Sequence, residues 1–280
     1  MSSNSGSLSP SAERILRESA AATEGAPLAV ALTPLFDSNY AYLLRDAASG
    51  VVGVVDPGDA TPVSDALHLL GWTPDWILLT HHHADHIGGV DELRAETGAK
   101  VVGAAQDAAR LPKLDAEVAV GGTFDLGETR FDVLDAPGHT IGHIAYHAHS
   151  AAALFAGDAL FALGCGRLFE GTAAQMWATL SRFAALPDET KVYCGHEYTL
   201  ANARFSLGIE TSNAALAARA REIEALRAAG APTIPTTIGA EKATSPFLRA
   251  AEPALQAALG LDGADPASVF AEVRRRKDAA

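Results

Sequence analysis

Four apolar runs in this chain share one kind of ending. WILL (76–79) leads into THHHADHIGG (80–89), TRFDVL (129–134) into DAPGHTIGH (135–143), ALFAG (153–157) into Asp158, and KVYC (191–194) into Gly195 and His196. A strand that stops on His or Asp presents that side chain at a sheet edge, so four such endings require a scaffold that gathers strand ends together. One Gly-Asp or Gly-His-Glu after a strand is more often a turn; four in one chain point to a common site. The runs YAYLL (40–44), VVGVV (51–55), KVVG (100–103) and HIAYHA (143–148) also read as strands. Helical stretches lie between some of them: TPVSDALHLLGW, with Thr61 as cap and Pro62 in the first turn, and GGVDELRAETG, ending at Gly98. Alternation of this kind predicts a layered α/β domain.

Within THHHADHIGG, an extended start puts His81, His83 and Asp85 on one side and turns His82 away as a bystander. His86 rejoins the first side where the chain turns into a helix, with Gly88 and Gly89 leaving room. Neutral imidazoles beside a carboxylate are what borderline divalent metals bind, whereas a merely solvated loop has no use for such density. His139, Asp158 and His196 from the later strand ends raise the candidates beyond what one four-coordinate ion can use, so two metals are the simpler account.

The 280 residues suffice for an enzyme, and 48% hydrophobic with 20% charged residues is a globular mixture. A net charge of -13, relieved only by Arg274, Arg275, Arg276 and Lys277 near the end, disfavours nucleic acid as a partner. Cys165 and Cys194 are too few for a disulfide-built fold, which predicts a reducing, cytoplasmic setting, and no apolar run is long enough for a membrane helix. Residues 1–26 read as a flexible tail, 27–200 as the catalytic domain and 201–280 as a small helical domain: one long helix over 201–230, then helices from Pro253 and Pro266. A monomer is expected.

The pattern T-H-x-H-x-D-H, followed in order by GHT, GD and GH, resembles the metallo-β-lactamase superfamily, whose fold is a four-layer αβ/βα sandwich of two mixed sheets between outer helices. The resemblance implies one metal on His81, His83 and His139, a second on Asp85, His86 and His196, and Asp158 bridging both, with Asp85 and Asp158 serving catalysis around a shared hydroxide. VVDPGD (54–59), PGHTIGHIAY (137–146), GCGRLFEGT (164–172), CGHEYT (194–199) and SPFLR (245–249) narrow it to the glyoxalase II family, the hydroxyacylglutathione hydrolases. Carried over from that family, Arg167, Phe169, Tyr198 and Arg249 contact glutathione, although Phe169 lacks the hydroxyl of the tyrosine often found there and no further basic residues directly follow Arg249.

The implied activity is hydrolysis of S-D-lactoylglutathione to D-lactate and glutathione in methylglyoxal detoxification, with two divalent ions per chain, zinc first and iron or manganese as alternatives. A metal pair lowers the pKa of water from about 15.7 toward roughly 7, and a thiolate leaves without a strong general acid. Arg167 and Arg249 would offset the acidic background toward an anionic thiol carrier. Asp59 and His143 are candidates for orienting the ligands from behind. Cys165 and Cys194 are assigned to packing, and His68, His147 and His149 lie outside the strand-end pattern. The nearest rival is a mononuclear iron persulfide dioxygenase of the same superfamily, which typically lacks a long helical C-terminal region; a metal-stabilised binding module without catalysis is a second, and a β-lactamase or RNA-processing nuclease fits less well.

Overall fold

The computed structural model describes residues 8–280, which form two compact units. The first comprises the described residues up to Leu134 together with Ile144–Ala151. Its elements are α1 (Pro10–Ala21), β1 (Leu28–Leu35), β2 (Asn39–Asp46), β3 (Val52–Val55), α2 (Ala60–Leu70), β4 (Trp76–Leu78), α3 (Ala84–Ile87), α4 (Val90–Thr97), β5 (Lys100–Ala104), β6 (Ala116–Val118), β7 (Thr123–Leu126), β8 (Thr129–Asp135) and β9 (Ile144–Ala148). β1 to β6 form one mixed sheet in sequence order: β1, β2 and β3 pair antiparallel, and β3 to β6 run parallel. Alternation puts Ala41 and Leu43 of β2 and Val52 and Val54 of β3 on one face, where they meet Val63 and Leu67 of α2 and Val90 and Leu93 of α4 in one buried cluster.

The segment expected to be a flexible tail is a folded part of this unit wherever it is described; residues 1–7 lie outside the described residues. Ser9 caps α1 by accepting from the Ala12 N–H, Pro10 occupies the first turn, and Leu16 is fully buried in the α2/α4 cluster. Its hydroxyls also finish the outer edge of the sheet. Ser19 Oγ accepts from the Leu32 N–H at 2.8 Å, while Thr23 Oγ1 accepts from the Val30 N–H at 2.8 Å and lies 3.1 Å from the Val30 carbonyl. An edge strand with satisfied donors no longer templates another chain. Asp59, not Thr61, caps α2, its Oδ1 accepting from the Thr61 N–H at 3.0 Å.

Asp46 ties the end of β2 to the β7–β8 turn, accepting from Ser49, from the Glu128 N–H and, at 2.6 Å, from the Thr129 hydroxyl. Burial pushes this carboxyl up, but the hydrogen bonds outweigh it and bring it down to about 2. A folded value below the ordinary one means that the stabilisation is complete above about pH 4 and is lost as the pH falls through about 2. Asp46→Asn is therefore expected to lower Tm at neutral pH and to converge on the wild type near pH 2; a gap that stays constant across a pH series of melting curves would refute it.

The second unit comprises Asp135–His143 and Ala152–Ala280. It contains β10 (Ala153–Gly157), α5 (Ala173–Ala184), β11 (Lys191–Cys194), α6 (Thr199–Ile209), α7 (Ala214–Ala228), β12 (Thr236–Thr237), α8 (Ile238–Thr244), α9 (Pro253–Leu259) and α10 (Pro266–Asp278). β10 and β11 pair parallel, and β12 adds antiparallel to β11. This unit includes residues before the helical part expected over 201–280, because α5 and the loop after β10 pack with the C-terminal helices. Trp177 lies 6.3 Å from Phe270 between ring centres, and Arg274 donates to the Cys165 carbonyl at 3.0 Å. The helix expected over 201–230 is two helices, α6 and α7. The chain leaves helical geometry at Glu210, and Asn213 caps the restart by accepting from the Leu216 N–H. Glu210 is buried against Arg249, a partner that helical periodicity alone does not reveal.

Candidate metal centre

In the first unit the chain after β4 bends at Thr80, His83 is extended at the start of α3, and α3 carries Asp85 and His86. Gly89 makes this turn possible: a Cβ there would stand 2.4 Å from the Ala60 nitrogen, and its own N–H donates to the Pro57 carbonyl at 2.9 Å. The HIGG turn thus lies backbone to backbone on the DPGD turn.

That contact brings in Asp56, a residue absent from the expected set. Asp56 has a positive φ of 50°, a conformation that costs a non-glycine residue on the order of 1 kcal/mol. In it, Oδ1 accepts from the Thr80 N–H at 2.9 Å, and Oδ2 accepts from the Thr80 hydroxyl at 2.6 Å and from His86 Nδ1 at 3.1 Å. The hydroxyl has given its one proton to Asp56, so its 3.0 Å contact with His81 Nδ1 requires the ring to donate. One carboxylate thereby places the protons of both imidazoles on Nδ1 and leaves both Nε2 atoms unprotonated, as metal ligation requires. His81 Nε2 lies 3.2 Å from His83 Nδ1, close to the roughly 3.3 Å between two nitrogens bound tetrahedrally to one ion. Asn39 orients Asp85, donating to its Oδ2 at 2.9 Å. Asp59 has no such role, since its carboxylate caps α2. The informative aspartate in VVDPGD is the first, because it follows directly on β3. Asp56→Asn, unable to accept from both Thr80 and His86, is expected to weaken metal binding about 10- to 100-fold by chelator competition. Unchanged affinity would remove the relay.

The second unit carries its own group of candidate ligands. Asp158, directly after β10, places a single oxygen, Oδ2, 3.4 Å from His139 Nε2 and 3.3 Å from His196 Nε2. An oxygen almost equally spaced from two ring nitrogens suits a bridge between two ions, each carrying one of the imidazoles. His139 Nδ1 donates to the Arg167 carbonyl at 2.8 Å, which again leaves Nε2 unprotonated. Gly166 is needed for that approach, since a Cβ would stand 2.7 Å from His139 Nδ1. His143 is buried and accepts from the Asp158 N–H at 3.1 Å, so it positions that residue's backbone.

His82 was expected to be a bystander and has a fixed partner. Its Nδ1 lies 3.0 Å from Asp107 Oδ2, while Arg110 holds the other oxygen of that buried carboxylate. Both cysteines are buried; burial pushes the Cys165 thiol up to about 11 and raises Cys194 further, which keeps them protonated and disfavours nucleophilic roles.

Among the expected substrate contacts, Arg167 is exposed. Phe169 is 63% exposed, with its ring 5.3 Å from that of His139. Tyr198 is 42% exposed and stacks on His196 at 4.7 Å. Exposed aromatic rings therefore stand beside two candidate ligands. Arg249 differs. Its guanidinium is occupied by buried Glu210, through Nη2 at 2.9 Å and Nε at 3.0 Å, and by the Lys242 carbonyl. Leaving either charge alone in a buried position is costly, so the first use of Arg249 is structural. The C-terminal basic run read from sequence contains a residue that does reach the site loop: Arg274, buried, bonds the Cys165 carbonyl.

Comparison with known proteins places these residues in context. A metallo-beta-lactamase superfamily model matches residues 35–196, and a model for the hydroxyacylglutathione hydrolase C-terminus matches 197–280. A hydroxyacylglutathione hydrolase of Ruegeria pomeroyi is 53% identical over 90% of this chain and 99% of its own length. One of Methylococcus capsulatus is 54% identical over 88% and 96%. Among solved structures, ETHE1 from Myxococcus xanthus aligns with a TM-score of 0.60 at 29% identity, over 89% of this chain and 98% of that one.

Proposed function

The chain belongs to the metallo-β-lactamase superfamily and, within it, to the hydroxyacylglutathione hydrolases, the glyoxalase II enzymes, and from that premise we propose that it hydrolyses S-D-lactoylglutathione to D-lactate and glutathione in methylglyoxal detoxification. Its fold is accordingly α/β, with two mixed sheets flanked by helices and a C-terminal helical region.

The proposed ligand sets are His81, His83 and His139 for one ion and Asp85, His86 and His196 for the other, with Asp158 between them. The observation that carries this is Asp158 Oδ2, set 3.4 and 3.3 Å from the His139 and His196 nitrogens. Mixed imidazole and carboxylate donors suit zinc, and also iron or manganese, so elemental analysis of protein purified without added metal decides identity. Two bound ions supply a hydrolytic nucleophile at neutral pH and Lewis-acid polarisation of the thioester carbonyl.

The chain's own groups do the rest. Asp56 and the Arg167 carbonyl keep the imidazoles in the ligating tautomer, and Asn39 and His143 hold Asp85 and Asp158. Arg167 offers a planar cation to a glutathione carboxylate, and Phe169 and Tyr198 flank the reacting centre with apolar surface. Thiolate departure needs no strong general acid, and Asp85 and Asp158 are the carboxylates assigned to catalysis. We place the enzyme in the cytoplasm as a monomer. Both cysteines are buried thiols, no helix among the described residues is long and apolar enough to cross a membrane, and every proposed ligand comes from one chain.

Loss of thioester absorbance with S-D-lactoylglutathione, alongside other acyl-glutathiones, tests the activity; a fully metallated protein that ignores them all sinks the substrate assignment. The match to the hydrolase C-terminal model over 197–280 favours this reading over a persulfide dioxygenase. One iron per chain with oxygen uptake on glutathione persulfide would reverse that preference.

A further inference from the structure

The loop from Asp158 to Arg167 carries the proposed bridging ligand at one end and, at the other, the carbonyl that holds His139. Its middle is gripped from outside. Asn202 of α6 donates through Nδ2 to the Ala162 carbonyl at 3.1 Å. Glu241 of α8 accepts the Leu163 N–H at 2.8 Å. Arg274 of α10 donates to the Cys165 carbonyl at 3.0 Å. Three helices distant in sequence thus spend buried polar side chains on peptide groups within four consecutive residues.

The loop pays for this conformation with Leu163, a non-glycine residue at φ 56°, and its side chain is fully buried among Ala203, Leu216, Ala220 and Ile223. The Phe161–Gly164 bridge and the Gly166 N–H bonded to the Asp158 carbonyl close it into a tight hairpin. Glu241 is itself fixed by Arg219 and, at 2.7 Å, by Thr236. A strained turn persists only where its surroundings over-determine it.

We propose that Asn202, Glu241 and Arg274 act together as positioning residues for the metal centre, with the helical region setting, through this hairpin, where Asp158 Oδ2 and the Arg167 carbonyl stand. Their link to catalysis rests on the metal and hydrolase reading above, but the hairpin's effect on a bound ion is measurable without substrate.

The test uses the full chain loaded with Co²⁺, whose visible spectrum reports coordination. Asn202→Ala is expected to lower Tm by only about 3 °C, the effect of one lost hydrogen bond. It is also expected to weaken Co²⁺ retention against a chelator about tenfold or more and to alter the visible bands, as the loss of a residue supporting a ligand does. Glu241→Gln, which keeps an acceptor for the Leu163 N–H, is expected to retain the ion better than Asn202→Ala. Should Asn202→Ala not fold, Asn202→Asp, equal in size but without a donor toward the Ala162 carbonyl, replaces it. A folded Asn202 variant with wild-type Co²⁺ affinity and spectrum overturns the proposal, whatever its Tm. If the wild type hydrolyses no acyl-glutathione while the variants still lose Co²⁺, the substrate assignment fails and the positioning role stands.

Discussion

Asp158→Ala is expected to retain at most one tightly held ion per chain and to lose activity on acyl-glutathiones by on the order of 10³-fold or more. One oxygen of this side chain lies beside both candidate-ligand imidazoles of the second unit, so its removal leaves His139 and His196 without a shared carboxylate partner. Asp158→Asn separates charge from shape. It fills the same space beside the loop, but a neutral amide is a poor bridge between cations, so metal content by elemental analysis should follow the alanine variant. Tm of the metal-free proteins should change little. Full two-metal content in Asp158→Ala would remove Asp158 as the bridge.

Arg249→Ala is expected to act on stability. Glu210 is buried, and Arg249 is its bidentate partner, with its side chain only 15% exposed. Removing one member of a buried pair costs about 3 kcal/mol or more, which for a chain of this size is a fall in Tm of roughly 10 °C. Arg249→Lys should recover little of it, because a point ammonium cannot reproduce two parallel hydrogen bonds. The double variant Arg249→Met/Glu210→Leu should recover most. The folded fraction of Arg249→Ala should keep its KM. A raised KM with an unchanged Tm would return Arg249 to the substrate.

The candidate ligands could be picked out in the sequence because metal chemistry uses few residue types and strands deliver them at their ends: His81, His83, Asp85, His86, His139, Asp158 and His196 all follow apolar runs. The supporting residues were not legible on the same terms. Asp56 and Asp59 are equivalent carboxylates in VVDPGD until the HIGG turn packs against that stretch, and Asn39 has no motif. α1 was hidden by a polar, alanine-rich composition, though Ser9-Pro10 with Glu13 is a start signal and Ile15 and Leu16 are an apolar pair. The break at Glu210 and the use of Arg249 are one event, invisible to periodicity because the partners lie 39 residues apart.

The α/β class, the family and the candidate ligand types follow from local pattern alone: apolar runs, turn residues and the spacing of His and Asp. Only the folded chain shows which polar group meets which partner: Asp56 bonds Thr80 and His86 while Asp59 caps α2, and Arg274 bonds the Cys165 carbonyl while Arg249 pairs with Glu210. The reason is physical. A carboxylate or guanidinium acquires its role from the partner it meets on burial, and that partner is chosen by packing between segments far apart in the chain.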